Sequence, residues 1–228
     1  MANKEINRRD FLQMSGMLGL GIAGASTLLA SCSPKQKPLR EAGTYYIPEL
    51  PDKASDGKEI KVGVIGCGGR GSGAVKNVFA AADNVKIVAL GDVFADRLEK
   101  LRTNIKENYG QEVAEENCFI GFDSYKNVID AGVDYVICTA PPVFRPDHFK
   151  YATEKGVHSF LEKPIAVDPK GYRTVMATAR QAKAKNLVVV CGTQRHHQRP
   201  YVQAFEKISQ GMIGEITGGN VYWNQGML

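Results

Sequence analysis

From Glu59 onward, short unbroken apolar runs alternate with segments whose apolar residues recur at helical spacing. The runs Ile60 to Ile65, Val85 to Leu90, Tyr135 to Thr139, Val157 to Leu161 and Leu187 to Cys191 predict strands, with a weaker one at Cys118 to Ile120. A strand that is apolar at successive positions is covered on both faces, which is the condition of a parallel sheet. Between the runs, Gly73 to Ala82, Ala95 to Tyr109, Tyr125 to Ala131, Pro146 to Lys155 and Pro169 to Lys185 predict helices, and Tyr201 to Gln210 a further one. Asp123 or Ser124 is placed to cap the third helix, Gly156 to end the fourth, and Asp168 before Pro169 to open the fifth. The order is that of an α/β, doubly wound parallel sheet, in which ligands bind beyond the carboxyl ends of the strands.

The chain before Glu59 follows a different pattern. Lys4, Arg8 and Arg9 precede an uncharged stretch from Phe11 to Ala30, rich in Gly, Ala and Leu, and Leu29-Ala30-Ser31-Cys32 follows. Charged, apolar and small-residue regions in this order predict a signal peptide over residues 1–32, and the glycines argue against a membrane-spanning anchor. Arg8-Arg9-Asp10-Phe11-Leu12 resembles a twin-arginine export motif, and Leu29 to Cys32 resembles a lipobox, which makes Cys32 the expected lipidation site. The expected product is a bacterial lipoprotein on the periplasmic side of the membrane, held there by its lipid anchor alone. Residues 33–58, with Pro34, Pro38, Pro48 and Pro51, read as a tether.

Composition adds exclusions. The formal charge is +5, and without residues 1–32 it is 26 minus 22, or +4. No cluster of Lys and Arg is interleaved with aromatics, so nucleic-acid binding is not expected. The five cysteines, Cys32, Cys67, Cys118, Cys138 and Cys191, show no metal-ligand spacing. No metal site is expected, and Cys118, Cys138 and Cys191 read as small buried hydrophobes.

The chemistry concentrates at strand ends. Gly66-Cys67-Gly68-Gly69-Arg70-Gly71 follows the first strand and opens a helix, the setting in which such a loop binds a dinucleotide. Gly66 makes the tight turn, Gly68 lets a pyrophosphate approach the backbone, and Gly71 lets helix and strand pack closely. Asp92, 21 residues beyond Gly71, is placed to accept hydrogen bonds from ribose hydroxyls and to repel a 2′-phosphate. NAD is therefore expected over NADP, although Arg70 would suit a phosphate.

Thr139-Ala140-Pro141-Pro142 is expected to form a wall beside the nicotinamide. His148, on the next helix, reads either as a structural hydrogen-bonding residue or as a substrate contact. After the next strand comes Glu162-Lys163-Pro164, where Lys163 is placed to hold a substrate hydroxyl and share its proton. The plain alternative is an ion pair between Glu162 and Lys163. Beyond Cys191, Arg195 and His196 suit a polyol or anionic substrate, or else belong to a solvated turn.

GCGGRG, the Asp92 strand end, GVHSFLEKPIAVD and VVVCGTQRH together resemble the glucose-fructose oxidoreductase and inositol dehydrogenase (Gfo/Idh/MocA) family. The resemblance covers about Lys58 to Leu228. It implies a Rossmann domain, here residues 59–193, and a C-terminal α/β substrate domain that often forms dimers, begun here by residues 194–228. It implies hydride transfer on sugars, polyols or related compounds, with Lys163 catalytic, Glu162 near the cofactor, and Gly66, Gly68, Gly71 and Asp92 in cofactor roles. The family's second catalytic motif has no counterpart before Leu228, and ITGGNVYWNQGML reads as the first strand of the substrate domain. Residues 33–228 are thus expected to bind cofactor without completing turnover. An exported protein reaches a place without dinucleotide supply, so its NAD is expected to be tightly held. The alternatives are a redox-neutral glycosidase, which oxidises a sugar, eliminates its aglycone and reduces it again, and a lipid-anchored binding module without catalysis.

Overall fold

The computed structural model describes residues 57–224 and Gly226. The signal peptide, Cys32 and nearly all of the tether lie outside the described residues. The chain divides into two compact units, one spanning Ile47–Val202 and the other including Gln203–Leu228.

Six strands form one parallel sheet in the first unit: β1 (Ile60–Ile65), β2 (Val85–Asp92), β3 (Cys118–Ile120), β4 (Tyr135–Cys138), β5 (His158–Leu161) and β6 (Val189–Cys191). Their spatial order is β3-β2-β1-β4-β5-β6, and every neighbouring pair is parallel. Order reverses between β1 and β4, so the switch point where a crevice opens lies above these two strands. The helices are α1 (Gly69–Ala81), α2 (Ala95–Tyr109), α3 (Ser124–Asp130), α4 (Arg145–Lys155), α5 (Pro169–Ala184) and α6 (Arg199–Ser209).

The apolar strands are covered on both faces. Val62 and Val64 of β1 belong to one cluster with Val75 of α1 and Leu98, Leu101 and Ile105 of α2. Ile65, one step out of phase, joins the other cluster with Val128 of α3, Phe149 and Ala152 of α4 and Val175 and Ala182 of α5. Alternate side chains of a single strand therefore anchor opposite helix layers.

Two differences from the sequence expectation move the site. The strand β2 runs two residues past the predicted Leu90, through Gly91 to Asp92, so the carboxylate at the strand end is part of the sheet. Helix α1 starts at Gly69, four residues before the predicted Gly73, because Gly69, Arg70 and Gly71 themselves take helical conformation. The glycine turn is thus already the first helical turn. The caps of α5 and α4 follow expectation: Asp168 accepts a hydrogen bond from Gly171 N at 2.5 Å, and Gly156 takes φ 78°. Asp123 precedes α3 but its carboxylate pairs with Lys126 at 2.7 Å rather than capping the helix.

In the second unit, the stretch read as a strand forms no regular element: Ile216 to Trp223 lie outside helix and strand. Strand hydrogen bonds are made to a neighbour, and among the described residues no ladder forms there. Helix α6 covers the predicted Tyr201 to Gln210 within two residues at each end.

Candidate active site

The site lies above β1 and β4, in a cleft of about 760 Å³. Gly66, Gly68, Gly69, Arg70, Gly71, Asp92, Thr139, Pro141, His148, Glu162 and Lys163 all line it. Cys67, Arg195 and His196 do not.

The floor is the glycine turn. Gly66 has φ +94°, and a Cβ there would meet Ala140 N at 2.6 Å, so only glycine makes the turn. A Cβ on Gly71 would fall 2.0 Å from Gly66 O, so α1 reaches this close to β1 only with glycine there. Gly68 is of another kind. Its φ of −67° is open to any residue, and a Cβ would find nothing nearer than Arg97, at 3.8 Å. Nothing in the protein itself requires glycine at that point.

The first bond of α1 runs from Ser72 N to Gly68 O, so the preceding first-turn amides have no intrahelical acceptor. Gly68 offers no side-chain cap, and the first turn carries no acidic residue. Unpaired amides at the positive end of a helix, with open space before them, suit a pyrophosphate.

Asp92 is 9% exposed and holds the turn from the other side. Its Oδ2 accepts from Cys67 N at 2.6 Å and its Oδ1 from Phe94 N at 2.9 Å. A carboxylate has about four acceptor sites, so roughly two remain for ribose hydroxyls. The Cys67 amide is accordingly spent on Asp92. Its thiol is buried, lies 3.5 Å from Gly91 O, and is pushed well above its ordinary range by burial and by the Asp92 charge. The expectation that Cys67 contacts the cofactor is therefore corrected: it ties the turn to β2. Thr139 acts similarly, donating its hydroxyl to Gly66 O at 2.6 Å.

The opposite wall is Glu162 and Lys163. Glu162 is 5% exposed, and its partner is not the Lys163 side chain. Its Oε1 accepts from Arg70 Nε at 2.7 Å, and its Oε2 from Lys163 N at 2.7 Å. Arg70, expected to suit a phosphate, turns its Nε toward Glu162 and fastens α1 to the end of β5. The Lys163–Pro164 bond is cis, and the Lys163 side chain is exposed at the cleft.

His148 reaches the cleft as a stacked ring, 4.3 Å from Tyr125 between centroids. Burial, then the nearby Arg145 charge, lowers its pKa to about 4. It is a neutral imidazole at pH 7, held by stacking rather than by the expected hydrogen bond, since its Nδ1 is buried without a partner. Arg195 folds onto Tyr201, donating to its hydroxyl with the guanidinium 4.7 Å from the ring. A short 3₁₀ turn over Gln194–His196 directs Arg195 and His196 to solvent, while Gln194 lines the cleft instead. Two further lining residues escaped the sequence reading: Arg97, stacked 4.7 Å from the Phe94 ring beside Asp92, and the buried Arg145. An arginine three residues after the Asp92-Val93-Phe94 strand end was the available signal for the first.

Over residues 60–191 the sequence matches the Gfo/Idh/MocA family, the oxidoreductase family with an NAD-binding Rossmann fold. The chain belongs to this family. Its solved neighbours include scyllo-inositol dehydrogenase from Lactobacillus casei, 26% identical with a TM-score of 0.57 over 70% of this chain and 44% of that one. That enzyme has also been solved with NAD(H) and scyllo-inositol bound. Among curated relatives, a glycosyl hydrolase family 109 protein of Shewanella pealeana is 27% identical over 94% of this chain and 45% of its own length. An alpha-N-acetylgalactosaminidase of Shewanella oneidensis is 24% identical over the same shares. The chain spans less than half the length of these relatives. Its larger unit is the family's NAD-binding domain, and the open glycine cradle, the uncapped helix end and the free acceptor sites of Asp92 fit that dinucleotide.

Proposed function

We propose that the protein is an exported, NAD-dependent oxidoreductase acting on a sugar, polyol or related carbohydrate, with its cofactor tightly held. One observation carries the reading: the glycine turn, Asp92 and Lys163 line a single cleft at the switch point of the sheet. First-turn amides of α1 hold the pyrophosphate and Asp92 the ribose hydroxyls. A buried anion at the ribose disfavours a second phosphate there, so NAD is preferred to NADP. When bound, NAD supplies the hydride acceptor or donor. Lys163 holds the substrate hydroxyl at Nζ and takes up or returns its proton. Glu162 fixes the Lys163 backbone, and the part-buried Thr139 and Ala140 with Pro141 and Pro142 form the neighbouring wall of the cleft. Export is supported by the Arg8-Arg9 pattern and lipid attachment by Cys32. A route that carries folded, loaded protein to a compartment without NAD suits a cofactor that does not leave.

The glycosyl hydrolase family 109 relatives favour a second reading, transient oxidation followed by loss of an aglycone. A single assay separates the two. The protein carrying a complete substrate domain is mixed with inositols, sugars and an aryl N-acetylgalactosaminide, and NADH and free aglycone are followed together. NADH accumulation with a free polyol or sugar supports the dehydrogenase; aglycone release without net NADH supports the glycosidase. Binding of a sugar with neither product overturns both in favour of a binding module.

A further inference from the structure

Arg145 opens α4 and is 2% exposed. The position is unfavourable twice over: burial strips water from a guanidinium, and a cation at a helix N-terminus opposes the helix dipole. Burial indeed pulls its pKa downward. A buried arginine kept for stability ordinarily meets a carboxylate. The nearby carboxylate is Glu162, but its oxygens accept from Arg70 and from Lys163 N, and Arg145 makes no hydrogen bond to it. Arg145 instead spends its fork on two carbonyls. Nη2 donates to Ala140 O at 2.7 Å, Nη1 donates to Pro164 O, and Nε is buried without a hydrogen-bond partner.

Those carbonyls belong to the two loops that wall the cleft. Ala140 follows β4, and Pro164 follows Lys163 directly. Lys163 is a long, exposed side chain, so its aim depends on the backbone from which it projects. That backbone is held at three points: Glu162 N to Cys138 O at 3.0 Å, Lys163 N to Glu162 Oε2, and Pro164 O to Arg145. The first continues the pairing with β4 and the second is made by the neighbouring side chain; of the three, only the last is made by a side chain from a helix.

We propose that Arg145 is a positioning residue, whose guanidinium joins the loop after β4 to the loop after β5 and fixes the base of Lys163. The inference rests on the reading of Lys163 as the proton-handling group. Lysine at 145 keeps the charge but loses the fork, so the two requirements separate.

The test uses Arg145→Lys, Arg145→Met and Arg145→Gln in the full chain, with amide hydrogen exchange, melting temperature and NADH titration as readouts. Exchange at Lys163 and Ile165 is expected to rise about tenfold in the Lys and Met variants. Gln, which reaches one carbonyl, falls between them and the wild type. NADH binding and exchange within β4 and the middle of α4 stay unchanged. Unaltered exchange at Lys163, rescue by Arg145→Lys, or a rise spread evenly over α4 and β5 with a lower melting temperature overturns the proposal. So does failure of all three variants to fold. Lys163→Ala distinguishes the underlying reading: if turnover survives it, Lys163 is not the proton-handling group, while the exchange pattern of the Arg145 variants still decides the clamp.

Discussion

His148 shows what burial does to a residue that lines a cleft. Its ring stacks on Tyr125, its exposure is 6%, and its pKa falls from 6.5 to about 4. The unfolded chain takes up a proton as pH drops through 6.5, and the folded chain refuses it until about 4. His148 therefore stabilises the fold fully above pH 6.5, and that contribution is lost as pH falls toward 4, reaching at most roughly 3 kcal/mol. Melting temperature measured across this window should fall with pH in the wild type. His148→Phe keeps the stack and removes the titration, so its decline should be visibly shallower. Equal slopes would show that His148 titrates normally. The residue also marks a limit of sequence reading: its place on a helix three residues after Arg145 was clear, but its neutrality depends chiefly on burial, and the packing against Tyr125 that buries it is brought by the fold.

At the scale of elements, the site is a matter of how α1 is fastened to the sheet. Arg70 and Glu162 link the start of α1 to the end of β5, and Gly192, just past β6, leaves room for that carboxylate. A Cβ on Gly192 would lie 2.7 Å from Glu162 Oε1 and 3.0 Å from the Phe160 ring. Gly192→Ala is expected to displace Glu162 from Arg70 and cost roughly 1–3 kcal/mol, read from denaturant unfolding. Arg70→Ala should lower stability by a similar amount, and the double variant by less than the sum. Full additivity would separate the two residues. Most elements were legible beforehand, because a parallel strand writes itself as a continuous apolar run and α5 announces itself with Asp168-Pro169. The start of α1 was not, since three residues of a glycine-rich turn look like loop until their helical conformation is seen. The pairing of Glu162 was missed for a related reason: Lys163 is its neighbour in sequence, but Arg70 is its neighbour in space.

At the scale of the whole molecule, two arguments of different kinds converge. Pattern and spacing pointed to a doubly wound sheet with a dinucleotide at its switch point, and the strand order and the family match agree. The structure added a reason for Gly68 that the motif alone does not supply. Its backbone angle suits any residue and its neighbours leave room, so the space above it is free for a ligand. The substrate side was less legible, because Arg195 and His196 were read from composition beyond a strand end and a local turn sends them to solvent. The choice between dehydrogenase and glycosidase turns on groups that meet the substrate, whereas the family's NAD-binding domain, residues 60–191, lies within the larger unit. The most direct measurement is therefore a calorimetric titration of the purified, folded chain with NAD and NADP, alongside Gly68→Val. The expected result is one NAD per chain, NADP weaker by about tenfold or more, and a Gly68→Val variant that melts like the wild type yet loses at least about tenfold in NAD affinity. A folded chain that binds neither nucleotide, or a Gly68→Val variant that binds NAD undiminished, would contradict the account.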